Sequence, residues 1–192
     1  MKRLRQEFGE QIRTVSQTLA KRLKFIDEFG VHVGLTRLYG RAAPGRRVVE
    51  STPGYSGAHY TVVATLGLTG ITAPWMFEGA MTGLAFETYV EQVLLPTLHP
   101  GDLVLIDNLS AHKPDAIRTQ IEQRGARLHF LPPYSPDLNP IELCWSKVKT
   151  ALRSAKARTL EALVEALGDA LRAINPADVR AWFAHCGYTV NT

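Results

Sequence analysis

The chain has 192 residues, 45% of them hydrophobic and 21% charged, which is ordinary for a globular protein with one sizeable core. No apolar run approaches the length of a membrane span, and the basic N-terminal residues lack the apolar segment of a secretory signal. The formal net charge of +4 is compatible with a nucleic-acid partner but does not by itself establish one.

The first half of the chain is predicted to be rich in strands. Apolar residues that recur at three- to four-residue spacing predict a helix over residues 1–22. The strands predicted after it cover residues 23–27, 31–38, 48–49, 60–68 and 71–77. The fourth of these is β-branched and apolar, as a buried strand requires, and Pro74 should keep the fifth at a sheet edge or in a bulge.

The second half alternates helices with strands. The predicted helices cover residues 82–95, 114–124 and 140–158, and two more begin at Thr159 and Asn175. The predicted strands cover residues 102–107 and 126–131. A stripe of apolar residues in the helix after Thr159 is expected to face the core, namely Leu160, Leu163, Val164, Leu167, Leu171 and Ile174. Short turns early and helical connections later predict a mixed α/β sheet.

The stretch LPPYSPDLNPIELCWSKVK, residues 131–149, predicts a rigid loop that becomes a helix. Its prolines forbid helix before Asn139, which is a good N-cap, and Pro140 suits the first helical position. The loop therefore presents the carboxylate of Glu142 from the first helical turn. An alternative interpretation is a capping box, in which the Glu142 side chain reaches back to the N-cap amide.

Two aspartates lie at the ends of apolar runs, Asp27 in LKFIDEFG and Asp107 in LVLIDNLSAH. In open α/β sheets, sites collect at the carboxyl ends of strands, and the helix that begins with Glu142 could pack across that edge. An aspartate after a strand is also often a turn residue, and for Asp27 the neighbouring Glu28 is an alternative functional acid. Asn108 and His112 make a polar cluster after Asp107 that a plain turn does not explain well.

Two Asp and one Glu from separate elements could hold Mg²⁺ or Mn²⁺, because these ions prefer oxygen ligands. Two such ions about 3.5–4 Å apart support phosphoryl transfer. Cys144 and Cys186 lie far apart and outside any zinc-binding spacing, which indicates thiols in a reducing cytoplasm.

Basic residues form two clusters. The first, Arg37, Arg41, Arg46 and Arg47, occupies a glycine- and proline-containing stretch, and the second follows Glu142: Lys147, Lys149, Arg153, Lys156 and Arg158. Phosphate contact would explain both clusters, although a solvated helix face explains the second nearly as well.

The segments FIDE, LIDNLSAH and LPPYSPDLNPIELCWSKVK together resemble the DDE transposases of bacterial insertion sequences, in particular the insertion-sequence-630 group of the mariner-like superfamily. The resemblance runs from about residue 23 to the C-terminus. TRLYGRAAPGRR is similar to the basic segment after the first strand in that group. Phe29 departs from the family, where a small polar residue is common, which affects the details of that turn and not the three carboxylates.

The resemblance implies a ribonuclease H-like fold, a mixed five-stranded sheet flanked by helices with extra C-terminal helices. It implies that Asp27, Asp107 and Glu142 hold the metal ions, which are expected to be Mg²⁺ or Mn²⁺ and two in number. Asn108, His112 and Asn139 match positions near them. We expect DNA contacts from Arg41, Arg46, Arg47, Lys147 and Lys149, and metal-dependent cleavage at transposon ends followed by transfer of the freed 3′-OH into target DNA.

Full-length members of that group carry N-terminal helix-turn-helix domains, for which residues 1–22 are too few. We therefore expect residues 1–22 to be a helical remnant or linker and residues 23–192 to be the catalytic domain, with the DNA-reading half encoded separately or lost by truncation. The expected partners are transposon ends, target duplex and a second copy of the chain, with no membrane, in the bacterial cytoplasm near the nucleoid.

Three other functions compete with transposition. A metal-dependent nuclease of the same fold would use the same carboxylates but would not join strands. An inactive remnant could act only as a DNA- or protein-binding module, against which the joint presence of all three carboxylates argues. A nucleotide binder of the Rossmann type is disfavoured because no G-x-G-x-x-G follows the first strand.

Overall fold

The computed structural model describes residues 8–9, 20–54, 57–107 and 115–188. The strands are β1 (Leu23–Val31), β2 (Tyr60–Gly67), β3 (Gly70–Glu78), β4 (Leu103–Ile106) and β5 (Arg127–Phe130). The α-helices are α1 (Gly83–Tyr89), α2 (Asp115–Gln123), α3 (Pro140–Ala155), α4 (Leu160–Arg172) and α5 (Pro176–His185). The helix predicted over residues 1–22 lies mostly outside the described residues; Ala20–Arg22 form a 3₁₀ turn that leads into β1.

The strands form one five-stranded sheet in the order β3-β2-β1-β4-β5. β1 pairs antiparallel with β2 and parallel with β4, and β4 pairs parallel with β5. The prediction of a mixed five-stranded sheet is therefore confirmed. Parallel pairing of β1, β4 and β5 requires helical crossovers, and these put helices on both faces of the sheet.

Two apolar layers cover the two faces of the sheet because alternate side chains of each strand point in opposite directions. On one face, Phe25 and Leu105 pack with residues of α3, α4 and α5. On the other face, Ile26 and Val104 pack with residues of α1 and α2. Trp145 of α3 is fully buried in the first layer.

The first strand is longer than predicted. The prediction ended it at Asp27, but β1 continues to Val31 because β2 pairs with it as far as Val31↔Tyr60. The strands predicted at residues 31–38 and 48–49 are wrong: the described residues between Val31 and Tyr60, which we term the β1–β2 connection, form no helix or strand. Apolar and polar side chains alternate in residues 31–38, but no described strand pairs with the residues after Val31.

The edge strand and the following helix also differ in detail from expectation. β3 is the edge strand, as predicted from Pro74, and its register with β2 shifts between Val63 and Thr65. The helix predicted over residues 82–95 begins as α1 but continues as a π-helical segment, Val90–Leu94, and a 3₁₀ turn, Leu95–Thr97. Pro96 explains the change because it has no N–H to donate to the preceding turn.

The C-terminal helices mostly follow their capping signals. α3 ends at Ala155 rather than near residue 158, since Lys156 adopts a left-handed conformation. Thr159 caps α4, and Asn175 with Asp178 forms a capping box on α5. The predicted apolar stripe of α4 is only partly correct, because Leu160 and Val164 are exposed whereas Leu163 and Leu167 are buried.

Candidate active site

The register of two neighbouring strands brings Asp27 and Asp107 side by side. Phe25 of β1 pairs with Leu105 of β4 in parallel register. Asp27 and Asp107 each follow two residues later, so they continue on the same face as Phe25 and Leu105, the face covered by α3. Adjacent strands lie about 4.8 Å apart. Asp107 lies just past the end of β4, whereas Asp27 lies within β1, which runs on beside β2.

The strand geometry also separates Asp27 from Glu28. Successive side chains on a strand point to opposite faces, so Glu28 is directed away from the α3 face. Asp27 lines the cavity described below, and Glu28 is absent from its described lining. The alternative of Glu28 as the functional acid therefore has no support in the geometry of β1.

Glu142 reaches the same region from the first turn of α3. A 3₁₀ turn, Pro136–Leu138, leads into Asn139, which has an extended backbone at the N-cap position. Within the described residues the Asn139 side chain makes no capping hydrogen bond, so the reciprocal capping box is not formed. The Glu142 side chain lies at an exposed position at the start of the helix.

All three carboxylates line one cavity of about 320 Å³, which we term the triad cavity. The rest of its described wall comes from Asn139 and from the proline-rich loop: Leu131, Pro132, Pro133, Tyr134, Ser135 and Pro136. Asp27 comes from β1, Asp107 from the end of β4 and Glu142 from α3. Elements that are distant in sequence thus supply three acidic side chains to one partly open cavity.

Burial leaves Asp27 in an unfavourable environment for its charge. The residue is only 9% exposed. Its pKa is raised well above the ordinary aspartate range, first by burial, then by the nearby negative charges of Glu142, Glu28 and Asp107, against a smaller lowering by a backbone hydrogen bond at Glu28. A cation in the triad cavity would offset this repulsion.

The donor set of the triad cavity fits a hard divalent cation. Three carboxylates from three elements suit Mg²⁺ or Mn²⁺, which prefer oxygen ligands. Among the described residues no group of three or more His, Cys, Asp or Glu side chains is already arranged to hold a metal ion.

Of the three residues expected near the triad, Asn139 lies in the described structure. It is 3% exposed and lines the triad cavity. Its Oδ1 is buried and has no hydrogen-bond partner among the described residues, so it can accept a hydrogen bond from a molecule in the cavity. Asn108 and His112 lie outside the described residues.

Two features of the site had no signal in the sequence. Tyr134 lines the triad cavity, is 88% exposed and adopts φ 55°, a left-handed conformation that is uncommon for tyrosine. The hydroxyl of Tyr188 donates a hydrogen bond of 2.6 Å to the carbonyl of Leu138, in the loop that presents Glu142. Local sequence patterns do not predict contacts between residues this far apart in sequence.

The basic residues predicted to contact DNA lie in different environments. Arg41, Arg46 and Arg47 are exposed on the β1–β2 connection. The Lys149 ammonium lies 5.2 Å from the ring centroid of Phe29. The Lys147 ammonium is instead engaged, 2.5 Å from Asp178 Oδ2 and 3.3 Å from the Ala173 carbonyl.

Comparison with known families identifies the superfamily of the chain. The family described as DDE superfamily endonuclease matches residues 22–164, a range that contains Asp27, Asp107 and Glu142. The chain belongs to the DDE superfamily of endonucleases.

Known transposases are similar to this DDE superfamily endonuclease. A relative named "Transposable element Tc1 transposase", from Caenorhabditis elegans, is 32% identical over 89 residues, which cover 46% of this chain and 33% of the relative. The structure named "Mos1 transposase paired-end complex with left transposon end" has a TM-score of 0.74 at 15% identity and covers 96% of this chain. This chain covers 58% of that Mos1 chain.

The catalytic domain of Mos1 mariner transposase matches over its whole length. Its TM-score is 0.66 at 12% identity, and the match covers 100% of this chain and 97% of that domain. The ribonuclease H-like fold expected from the resemblance is confirmed. This DDE superfamily endonuclease spans about a third of the Tc1 transposase and somewhat under three fifths of the full-length Mos1 chain.

Two further findings bear on the surroundings of the enzyme. Structures similar to this endonuclease are described as the Mos1 mariner paired-end complex with Mn and with Mg. In the described part of the chain, no helix has both the length and the apolar character needed to cross a bilayer.

Proposed function

We propose that this chain is the catalytic domain of a transposase that cleaves DNA strands at transposon ends and joins the freed 3′ ends to target DNA. The observation that carries the proposal is that Asp27, Asp107 and Glu142, from three different elements, line one cavity. Similarity to the Tc1 and Mos1 transposases supports transposition as the biological outcome.

Asp27, Asp107 and Glu142 would hold Mg²⁺ or Mn²⁺, and we propose two ions. When bound, such ions activate an attacking oxygen and stabilise a leaving oxygen in phosphoryl transfer. The protein's own contribution is to hold the two aspartates on paired strands, to present Glu142 from a proline-stiffened loop and to offer Asn139 as a hydrogen-bond acceptor inside the cavity. Asn108 and His112 are proposed to support the same site.

Arg41, Arg46, Arg47 and Lys149 are proposed to contact the DNA backbone. Their cationic side chains would supply affinity that falls with salt and depends little on sequence. Lys147 is left out of this set because Asp178 and the Ala173 carbonyl already bind its ammonium.

We propose more specifically that the chain belongs to the insertion-sequence-630 group and acts in a bacterial cytoplasm. The assignment to this group rests on the motifs LIDNLSAH and YSPDLNPIE. We further propose that residues 23–192 act as one catalytic domain and that the active form is a homodimer across paired ends. The homodimer is supported by a similar transposase whose structure is described as a paired-end complex. A separately encoded helix-turn-helix half would read the terminal repeats.

Plasmid nicking by the purified chain in Mg²⁺ or Mn²⁺ tests the chemistry. Asp27→Ala, Asp107→Ala and Glu142→Ala should each abolish nicking, whereas Glu28→Ala should keep it. Glu28 is the matched control because it adjoins Asp27 but points to the other face of β1. Loss of nicking in Glu28→Ala with retention in Asp27→Ala would reassign the first carboxylate.

Strand transfer is tested with a precleaved transposon end and a target plasmid. Joined products that require all three carboxylates support the transposase proposal. Nicking without joining, even with an N-terminal DNA-binding half added in trans, would make the chain a nuclease of the same fold.

A further inference from the structure

A second depression lies between the β1–β2 connection and the C-terminal half of α3. It has a volume of about 270 Å³, and we term it the arginine pocket. Its lining consists of Arg37, Leu38, Tyr39, Thr150, Arg153 and Ser154. Two of these six side chains are guanidinium groups and none is acidic, so the pocket is suited to an anion.

The arginine pocket keeps its positive charge because the nearby acid is engaged elsewhere. Neither Arg37 nor Arg153 has an ion-pair partner within the described part of the chain. The pKa of Glu50 is lowered, first by its hydrogen bond from Lys156 and less by attraction to Arg37 and Arg158. Glu50 therefore pairs with Lys156 and leaves the two pocket guanidiniums for an external ligand.

Contacts at the end of α3 hold the connection that carries Arg37. The Arg158 guanidinium donates hydrogen bonds to the carbonyls of Val33 and Leu35, at 3.1 and 3.0 Å. The ion pair of Lys156 with Glu50 ties a second point of the connection to the same helix end. The arginine pocket thus lies between the β1–β2 connection and α3. Contacts with the end of α3 hold the connection both before and after Arg37 in the sequence.

The periodicity of α3 connects the arginine pocket with the triad cavity. Arg153 follows Glu142 by 11 residues, which is about three helical turns, or roughly 16 Å along the axis, and returns to within about 20° of the same face. Lys149 lies between them on that face, seven residues after Glu142. This face of α3 therefore carries two partly exposed cations, Lys149 and Arg153, between the proposed cleavage site and the pocket.

We propose that the arginine pocket binds one backbone phosphate of the DNA strand whose cleavage site lies in the triad cavity. This inference rests on the proposed function, since it assigns a second contact to the same substrate. Phosphates on one strand of B-DNA rise about 3.4 Å each along the axis while winding around it, so neighbouring phosphates are roughly 7 Å apart and a span of roughly 16 Å reaches a phosphate about three nucleotides from the scissile one. Paired guanidiniums match phosphate oxygens geometrically.

Binding of a duplex by the full-length chain tests the pocket separately from catalysis. The Arg37→Ala/Arg153→Ala variant should bind about tenfold more weakly, because charge-assisted hydrogen bonds are lost. The slope of log affinity against log salt should fall by about 1. The control is Arg124→Ala/Arg180→Ala, which removes the same charge from two exposed positions outside the pocket. Equal losses in the two variants would overturn the proposal.

A scan of neutral methylphosphonate linkages locates the contact. With the unmodified chain, one neutral linkage about three nucleotides from the cut should weaken binding; in Arg37→Ala/Arg153→Ala that linkage should have no further effect. If no such position exists, or if the pocket variant remains sensitive to it, the phosphate assignment is wrong. An acidic peptide that competes at the pocket while DNA binding is unchanged would likewise overturn it.

The two proposals fail in different ways. If the chain nicks plasmid through the three carboxylates but the pocket variant behaves like its control, the pocket inference fails alone. If the pocket variant loses its specific phosphate contact but no condition yields nicking, the proposed catalysis fails and the binding assignment stands.

Discussion

Replacing Tyr188 by phenylalanine tests whether the C-terminal end of the fold positions Glu142. The Tyr188 hydroxyl donates to the Leu138 carbonyl at 2.6 Å, and Leu138 lies four residues before Glu142 in the loop that presents it. Phenylalanine removes that oxygen but keeps the ring contacts with Phe25 and Phe183, whose centroids lie 5.0 and 5.9 Å away. The change therefore isolates one hydrogen bond.

The expected loss of stability follows from the burial of this hydrogen bond. Tyr188 is 3% exposed and its hydrogen bond is partly buried, so removing its hydroxyl leaves the Leu138 carbonyl without this donor. Such a loss amounts to about 1–2 kcal/mol. For a domain of this size, each kcal/mol lowers Tm by about 2–4 °C, so we expect a fall of about 2–8 °C.

The effect on activity is expected to exceed the effect on folding. A displacement of about 1 Å in a catalytic group can slow a reaction by about 100-fold. We therefore expect Tyr188→Phe to nick plasmid at least about tenfold more slowly at a temperature where it remains folded. Circular dichroism at the assay temperature establishes the folded state, and thermal denaturation gives Tm.

Tyr89→Phe is the matched control. The Tyr89 hydroxyl lies 3.1 Å from Thr65 Oγ1 in a hydrogen bond that is more deeply buried than that of Tyr188, and it belongs to the opposite apolar layer. It should lose a similar amount of stability without slowing nicking. If the two variants nick at the same rate, the Tyr188 contact stabilises the fold but does not position Glu142.

Two further predictions concern charge and capping. Asp27→Asn should raise the Tm of the metal-free protein at pH 7.5 and abolish any stabilisation by Mn²⁺. The reason is that the pKa of Asp27 is higher in the folded than in the unfolded protein. The stability linked to its protonation is therefore complete below the unfolded pKa of about 3.9 and is lost as pH rises through the folded pKa. Thermal shifts between pH 4 and pH 8 measure this, and an unchanged pH profile in the variant would contradict it. Asn175→Ala should remove the capping box of α5 and lower stability by about 1 kcal/mol, with the nicking rate unchanged; a variant as stable as the parent would show that the cap contributes nothing measurable.

The residues of the site could be predicted from sequence because their signals are local. An aspartate after a buried apolar run and a glutamate in the first turn of a proline-initiated helix each depend on a few neighbouring residues. The helix caps at Thr159 and Asn175 were predicted for the same reason. These features need no knowledge of distant parts of the chain.

The errors arose where pairing with distant residues decides the structure. β1 continues beyond Asp27 because β2, about thirty residues later in the chain, continues to pair with it. The alternating residues after Val31 form no strand because no partner is in register. The left-handed Tyr134 and the hydrogen bond between Tyr188 and Leu138 likewise depend on tertiary packing, which has no period or motif.

The apolar core, rather than a bound ion, fixes the relative position of the carboxylates. Phe29 lies two residues after Asp27 on the same face of β1, and Trp145 lies three residues after Glu142 on α3; their ring centroids are 4.7 Å apart. This contact joins the strand of one acid to the helix of another. Since dispersion and burial hold the two elements together, neither the burial nor the neighbouring negative charges that raise the pKa of Asp27 are relieved by moving the elements apart. The folded protein therefore retains a site with excess negative charge, and a divalent cation is the ligand that would relieve it.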